Sequence, residues 1–277
     1  MTDTELTLQS KDGLTLKGRQ WTPAASPRGV VGLIHGIGEH IGRYSHVAAA
    51  LNQAGYAMLG YDLRGHGRSE GARGFTPSYD AYLDDIDLFI GEARTRFPDK
   101  PIFLYGHSLG GNLVLFHGLR RKPQLAGVVA SSPELRLAFN PPAWKTTMGR
   151  LMFNLWPAFS MPSGLEQAAL SRDPAIVRAY ASDPLIHDHV SARLGIGMLD
   201  VGQWLLDHAS EFPLPLLVFA GGADRIVSAE ACREFAGKVR GDCTLKIWDG
   251  LYHETHNEPE KAEVIGLMVR WIQDHTR

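Results

Sequence analysis

The pentapeptide GHSLG at positions 106–110 restricts the possible folds of this chain more than any other segment. A strand pattern at residues 102–105 runs into this G-x-S-x-G sequence, and a helix pattern at residues 112–119 leaves it. A tight strand-to-helix turn lifts the hydroxyl of a serine, here Ser108, to the top of a sheet, and the flanking glycines avoid Cβ clashes. The simpler alternative is a glycine-rich helix start with a capping serine.

The rest of the chain supplies a matching pattern of strands and helices. Period-two alternation around Asp12-Gly13 predicts an N-terminal hairpin. Short apolar runs then alternate with helical stripes, which predicts an α/β fold with a mostly parallel sheet and helices on both faces. Strand patterns lie at residues 29–34, 56–61, 102–105, 127–130, 215–220 and 244–248, and helical ones at 44–52, 79–97, 112–119, from 229 and at the C-terminal end. Asn257 and Glu260 predict a capping box at the start of the last helix.

The alternation of strands and helices is interrupted once. It stops near Pro133 and resumes at Pro215, and the residues between are helical in pattern and rich in Trp, Phe, Met and Pro. We therefore expect one α/β-hydrolase core, residues 1–133 and 210–277, with a helical cap or lid at residues 134–209. Such an insertion is expected over the carboxyl edge of the sheet, where open α/β sheets bind ligands.

A serine nucleophile needs a base, and the base needs an acid to orient it. In this fold the partners follow in the order serine, acid, histidine. Asp224 follows the strand pattern at 215–220, and His253 follows the last strand pattern. The predicted catalytic residues are therefore Ser108, Asp224 and His253. A solvated turn aspartate is the alternative for Asp224, and His256 is the rival base, although it precedes the expected capping residue.

The tetrahedral intermediate of acyl transfer requires N–H donors aimed at its oxygen. One candidate is the backbone amide of Leu109, directly after the serine. The other should come from the loop after the strand at residues 29–34, where we select the amide of Ile37. Ile37 and Leu109 are therefore the predicted oxyanion hole.

Charge and cysteine usage exclude several other classes of function. The 28 basic and 30 acidic residues give a net charge of −2, without the basic face that nucleic-acid binding needs. Two cysteines make no disulfide framework, and no histidine spacing suggests a metal site, so we expect neither metal nor cofactor. The N-terminus lacks a signal-peptide pattern and no apolar run reaches about 18 residues, which favours a cytoplasmic protein.

The sequence resembles the monoacylglycerol lipases of the α/β-hydrolase superfamily over nearly its whole length. The matching segments are HGIGEHIGRY (35–44), YDLRGHGRSEG (61–71), GHSLGG (106–111), SDPLI (182–186), GGADRIV (221–227) and GLYHETHNE (250–258). The resemblance implies a serine esterase that cleaves monoacylglycerols to free fatty acid and glycerol through an acyl-enzyme, beneath a mobile amphipathic cap. It also implies that Glu39, Arg43 and Tyr180 lie near the glycerol end of the site.

Other functions remain open at this point. A lysophospholipase or a broad-specificity carboxylesterase would use the same residues. A ligand-binding protein built on a hydrolase fold is the alternative from a different class, because a fold does not fix a function.

The predicted cap carries an unusually apolar stretch. Lys145 and Arg150 are the only charged residues between positions 139 and 164. This stretch either packs on its own domain, or lines an acyl tunnel and touches a membrane or micelle transiently, because apolar surface is usually buried or used. Phe159 and Trp156 are the predicted tunnel residues. The expected partner is a small lipid ester, and the sequence does not indicate an oligomeric state.

Overall fold

A computed structural model of the protein describes residues 2–276, which contain ten strands. The strands are β1 Thr2–Gln9, β2 Thr15–Thr22, β3 Gly29–Ile34, β4 Tyr56–Tyr61, β5 Ile102–His107, β6 Gly127–Ser131, β7 Ser160–Pro162, β8 His189–Ser191, β9 Leu216–Gly221 and β10 Cys243–Trp248. Eight of them form one sheet in the order β1-β2-β4-β3-β5-β6-β9-β10, and β7 pairs with β8. The predicted N-terminal hairpin, β1 and β2, is antiparallel, while β3, β4, β5, β6, β9 and β10 are parallel to one another.

Helices cover both faces of the sheet. They are α1 Ser45–Gln53, α2 Tyr79–Arg96, α3 Leu109–Arg121, α4 Ala143–Leu155, α5 Pro174–Ser182, α6 Ala192–His208, α7 Ala229–Lys238 and α8 Lys261–Asp274. One apolar core joins the sheet to α2, α3, α6 and α7, and a second joins the other face to α1 and α8. In β3, Val30 belongs to the first core and Val31 to the second, as expected of a strand buried on both faces. The predicted α/β-hydrolase fold is confirmed.

The start of the last helix differs from the prediction. Helix α8 begins at Lys261, and its N-cap residue, Glu260, makes no side-chain capping hydrogen bond. Asn257 lies in a short 3₁₀ turn and donates its side-chain amide to Glu254 at 2.8 Å. The predicted capping box is therefore wrong, because the helix begins four residues after Asn257 and its N-cap position falls on Glu260 instead.

Residues between β6 and β9 form helices α4, α5 and α6 together with the small antiparallel sheet of β7 and β8. The sequence pattern did not predict this sheet, because two three-residue strands are too short to show period two. Four hydrogen bonds join the region to the loops after β3 and β4. They are His187 N to Gly38 O at 3.0 Å, His187 Nε2 to Gly65 O at 3.1 Å, Ser191 N to Gly74 O at 3.0 Å, and His40 Nε2 to Asp183 Oδ2 at 2.9 Å. In the described part of the chain, none of the helices combines the length and apolar character needed for spanning a bilayer.

A buried arginine joins the N-terminal hairpin to the core. Arg64, in the loop after β4, makes two hydrogen bonds to Asp85 of α2, at 2.7 and 2.8 Å. It also reaches Asp12 in the β1–β2 turn, at 2.8 and 3.2 Å. Asp85 is buried, whereas the side chain of Asp12 is 47% exposed. The pair with Asp85 therefore balances a desolvated charge, and the pair with Asp12 is largely a solvated contact.

We predict that Asp85→Asn lowers the free energy of unfolding by about 3 kcal/mol, because it leaves the buried guanidinium partly uncompensated. Asp12→Asn should cost less than about 1 kcal/mol, since exposed pairs contribute little. Urea unfolding followed by circular dichroism measures both values. Equal losses in the two variants would contradict this assignment.

Candidate active site

Ser108 lies on a strained turn between β5 and α3. Its backbone has φ 54° and ψ −116°, a conformation that costs a non-glycine residue about 1–3 kcal/mol. A Cβ at Gly106 would collide with the carbonyl oxygen of Gly110, and a Cβ at Gly110 with that of Ile34. Both glycines are therefore required by close backbone approach. Helix α3 begins at Leu109, earlier than the predicted position 112, so Ser108 occupies its N-cap position.

Backbone hydrogen bonds hold this turn from two sides. The N–H of Ser108 donates to the carbonyl of Ser131, at the end of the neighbouring strand β6, at 3.0 Å. The carbonyl of Ser108 accepts from the N–H groups of Asn112 at 2.9 Å and Glu134 at 3.1 Å. The serine is buried, with 6% of its surface exposed, and it lines the large cavity above the sheet.

Asp224 and His253 form a hydrogen-bonded pair at the carboxyl edge of the sheet. Asp224 Oδ2 lies 2.8 Å from His253 Nδ1, and its Oδ1 accepts from the N–H groups of Ile226 and Val227 at 2.8 and 3.0 Å. An ionised carboxylate only accepts hydrogen bonds, so Nδ1 carries the proton and Nε2 is free to act as a base. Ser108, Asp224 and His253 all line the same cavity.

Two opposing effects act on the pKa of His253. Burial lowers this pKa, but the charge of Asp224 and the hydrogen bond to it raise it, and the net result lies above the ordinary value of 6.5. The backbone of the histidine is also fixed, because its carbonyl accepts from Ser132 Oγ at 2.8 Å.

The alternative base, His256, has a different environment. Its ring stacks on Tyr44 at a centroid distance of 4.8 Å, and neither ring nitrogen has a partner among residues 2–276. Burial, followed by neighbouring histidines and Arg43, lowers its pKa well below the ordinary value. His256 does not line the cavity, and it has no carboxylate to orient it.

The predicted oxyanion donors come from two separate elements. Leu109 is the first residue of α3, and Ile37 lies in the loop after β3 and lines the cavity. Within the described residues, neither backbone N–H donates a hydrogen bond to another part of the chain. The adjacent N–H of Gly36 is engaged, since it donates to Glu39 Oε1 at 2.7 Å. Both predicted amides are therefore available to a ligand.

A buried ion cluster lies beside the loop that carries His253. Arg43 contacts Glu39 Oε2 at 2.6 Å and both carboxylate oxygens of Glu254, each at 2.6 Å. The hydroxyl of Tyr44 donates to Glu39 Oε1 at 2.6 Å, and the ring of Tyr180 stacks on the guanidinium at 4.9 Å. Sequence reasoning named Glu39, Arg43 and Tyr180 but missed Glu254, whose only signal was its position directly after His253.

The charges of this cluster do not cancel. Burial would raise the pKa of Glu39, but Arg43 and nearby histidines hold it at about 2. Arg43 likewise lowers the pKa of Glu254 against the effect of burial. Two carboxylates therefore face one guanidinium, which leaves a net negative charge. Glu39, Tyr180 and Glu254 line the cavity, whereas Arg43 lies behind them as their ionic partner.

The cavity has a volume of about 700 Å³. Away from the ion cluster its wall is mainly apolar, and the residues there include Leu137, Phe159, Met161, Ile196, Met198 and Leu199. Phe159, a predicted tunnel residue, is part of this wall. Trp156 does not line the cavity; its ring lies 5.6 Å from that of Phe159 and it is 61% exposed. The prediction that Trp156 lines the tunnel is corrected, because α4 ends at Leu155 and the next side chain points to solvent.

Comparison with known proteins agrees with this geometry. The fold, with a serine on this turn and a histidine–aspartate pair beside it, defines the class of α/β-hydrolases. The family model described as "Serine aminopeptidase, S33" matches residues 25–260. A monoacylglycerol lipase of Mycolicibacterium smegmatis is 35% identical over 257 residues, which cover 92% of this chain and 91% of that protein. The chain belongs to the monoacylglycerol lipase family.

Two further matches extend the comparison. The crystal structure of the Paleococcus ferrophilus monoacylglycerol lipase superposes with a TM-score of 0.87 at 34% identity, covering 94% of this chain and 99% of that one. An abhydrolase domain-containing protein of Dictyostelium discoideum is 37% identical over 277 residues, which cover 99% of this chain. The chain spans only 29% of that larger protein.

Proposed function

We propose that the protein is a serine ester hydrolase that cleaves monoacylglycerols to free fatty acid and glycerol through an acyl-enzyme intermediate. The observation that carries the proposal is the cavity of about 700 Å³. It has Ser108 and the His253–Asp224 pair in its wall, an apolar region on one side and buried carboxylates on the other. A cavity of this size matches a ligand with one acyl chain and a small polar head.

The chemistry we propose rests on the cavity that Ser108 and His253 share and on the hydrogen bond between His253 and Asp224. His253 Nε2 takes the proton of Ser108 as the serine oxygen attacks the ester carbonyl. The amides of Ile37 and Leu109 then stabilise the oxyanion. His253 protonates the departing glycerol oxygen, and a water molecule repeats the sequence on the acyl-enzyme. Asp224 holds the tautomer that this cycle needs, through its 2.8 Å hydrogen bond.

The buried ion cluster supports a neutral alcohol as the leaving group. Glu39, Glu254 and Arg43 together carry a net negative charge at one end of the cavity. Glycerol hydroxyls can donate to carboxylate oxygens, whereas a phosphate would be repelled by them. This favours monoacylglycerols over lysophospholipids, which carry an anionic phosphate at the same position.

We also propose that residues 134–209 act as a cap whose helix α4 contacts lipid. Six large apolar side chains in or beside α4 are exposed: Phe139, Trp144, Met148, Leu151, Leu155 and Trp156. Phe139 is half exposed and also lines the cavity, so this apolar patch continues into the cavity mouth. Arg150 is paired with Asp200, so Lys145 is the one cation of α4 without an ionic partner among the described residues, which is little positive charge for anionic lipids. The patch therefore suits a neutral lipid surface. The unpaired thiols of Cys232 and Cys243 support a cytoplasmic location, and the exposed apolar patch supports a position peripheral to membranes there.

The first prediction on this function concerns the proposed catalytic residues. Ser108→Ala and His253→Ala should each lower kcat by about 10⁴-fold, because the remaining site retains only part of the acceleration. His256→Ala should keep most of its kcat, because its ring does not reach the cavity. The assay is the hydrolysis of a p-nitrophenyl ester, with fluorophosphonate labelling of the serine as the second readout. Loss of activity in His256→Ala with retention in His253→Ala would reverse the assignment.

The second prediction is the pH dependence of kcat/KM. Protonated His253 cannot accept the serine proton, so kcat/KM should fall as pH decreases through the pKa of this histidine. That pKa lies above 6.5, so the acid limb should have its midpoint on the alkaline side of that value. In Asp224→Asn the residual activity should show the limb at lower pH, because burial then acts without the opposing carboxylate. A flat profile between about pH 8 and about pH 5 would contradict a histidine base.

The third prediction concerns the leaving group. Wild-type kcat/KM should be about tenfold higher for a monoacylglycerol than for a lysophosphatidic acid of the same acyl chain, because the carboxylates repel its anionic phosphate. Glu39→Gln removes one of these charges and should reduce the ratio. Glu230→Gln, an exposed carboxylate on α7, is the matched control and should leave the ratio unchanged. Equal values for the two substrates in the wild type would favour a lysophospholipase.

The fourth prediction concerns the cap. The double variant Leu151→Asp, Leu155→Asp should reduce binding to phosphatidylcholine vesicles by about tenfold or more, because two apolar anchors are lost. Its hydrolysis of a water-soluble short-chain ester should stay near the wild-type rate. Gln124→Asp, at an exposed loop position elsewhere, controls for the added charge. Vesicle co-sedimentation measures the binding, and unchanged binding in the double variant would refute lipid contact through α4.

A further inference from the structure

A lysine in the wall of the cavity has no role in the proposed mechanism. Lys145 lies in the first turn of α4 and lines the cavity. Its ammonium group makes no ion pair or hydrogen bond with any of the described residues, 2–276, and lies 5.9 Å from the centre of the Trp144 ring. A lysine in the first turn opposes the helix dipole, so its presence is not explained by the stability of α4.

The ammonium group of Lys145 lies at the mouth of the cavity. A Cβ at Gly164 would lie 3.6 Å from Lys145 Nζ, so the side chain reaches from α4 to the segment that follows β7. Both residues line the cavity, as does Phe139, where the cavity meets the exposed apolar patch. Lys145 is partly exposed, and its Nζ is not a buried atom, so the charge is open to a ligand.

The apolar wall continues from Lys145 along α4. Gly149, one helical turn further on, also lines the cavity, and a Cβ there would lie 3.1 Å from the side chain of Ile196 in α6. Residues four positions apart lie on the same face of a helix, so Lys145 and Gly149 share the face that α4 turns towards the cavity. Because Ile196 belongs to the apolar wall, an alkyl chain on this wall can place its polar head against Lys145.

The uncompensated charges of the cavity have opposite signs at separate places. The buried ion cluster carries a net negative charge. Arg225 also lines the cavity, but Glu166 compensates it at 3.1 Å. Lys145 is therefore the one lysine or arginine of the wall without an ionic partner in the part of the chain that the structure describes. A carboxylate inside the cavity is repelled by the ion cluster and attracted by Lys145.

We propose that free fatty acids bind in the cavity with the carboxylate against Lys145 and the alkyl chain along the apolar wall. A fatty acid has one alkyl chain and a carboxyl group that is ionised at neutral pH, so it matches both features. Bound in this way it occupies the space that the acyl chain of the substrate needs, and it inhibits the enzyme competitively. This inference rests on the proposed function, whose product is a fatty acid, and adds inhibition by that product.

The test measures competitive inhibition by octanoate and by octanamide, an anionic and a neutral ligand with the same chain, against the hydrolysis of p-nitrophenyl hexanoate. In Lys145→Met the inhibition constant of octanoate should rise by about tenfold, while that of octanamide stays within about twofold, because only the charge is lost. Lys145→Arg should retain the inhibition by octanoate. Lys122→Met, which removes an exposed lysine at the end of α3, is the control and should leave both constants unchanged.

An unchanged constant for octanoate in Lys145→Met, or an equal rise for octanamide, would refute the carboxylate site. The same conclusion would follow if octanoate did not compete with the ester in the wild type, and in each case the esterase proposal stands. If the wild type does not cleave monoacylglycerols, the proposed function fails, and calorimetric binding of octanoate to the wild type and to Lys145→Met still tests the site. Lys145→Gln replaces the methionine variant if circular dichroism shows that this variant does not fold.

Discussion

The close approach of three backbone segments around Ser108 is the constraint on which the site depends. Helix α3 can begin directly after β5 only because Gly110 lets the chain pass against the carbonyl of Ile34 at the end of β3. The same approach brings the loop after β3, with the amide of Ile37, to the start of the helix. The strained turn at Ser108 thus places three groups close together: the serine hydroxyl, the N-terminus of α3 and the amide of Ile37. The large apolar cores on both faces of the sheet provide the stability that offsets this local cost.

The second constraint on the site is that each buried charge needs a compensating partner. Each buried carboxylate around the site has its own compensation: Asp224 has two backbone amides and a histidine, while Glu39 and Glu254 share one arginine. Glu134 is the exception, and its pKa is raised to about 8 accordingly. Within one cavity the chain therefore holds both ionised and mainly neutral carboxyl groups. All of these groups are carboxyls, so their protonation states differ only because their environments differ.

The sequence predicted the α/β frame well because that frame is built from local patterns. The positions of Ser108, Asp224 and His253 could be proposed because each lies within five residues of the end of a strand, and strand ends are easy to recognise. Contacts between distant segments were not accessible. Arg43 and Glu254 are separated by 211 positions, and nothing near either residue signals the pair. The error at Asn257 has a different origin, since the local spacing matched a capping box although the helix begins only at Lys261.

The two halves of the region between β6 and β9 differ in how firmly they are attached to the rest of the protein. The backbone N–H groups of His253 and Glu254 donate to the carbonyls of Ala169 and Leu170 at 3.4 and 2.8 Å. The part of the region around Ala169 is therefore joined to the loop that carries His253. Helix α4, in contrast, packs mainly against α6 and leaves its outer face bare. A wide swing of the whole region would break these hydrogen bonds to the loop that carries His253, so we expect the proposed cap to open on the α4 side. We expect sequence change to be constrained unequally for the same reason: the α4 half is free to vary, while the half around Ala169 changes together with the loop that carries His253.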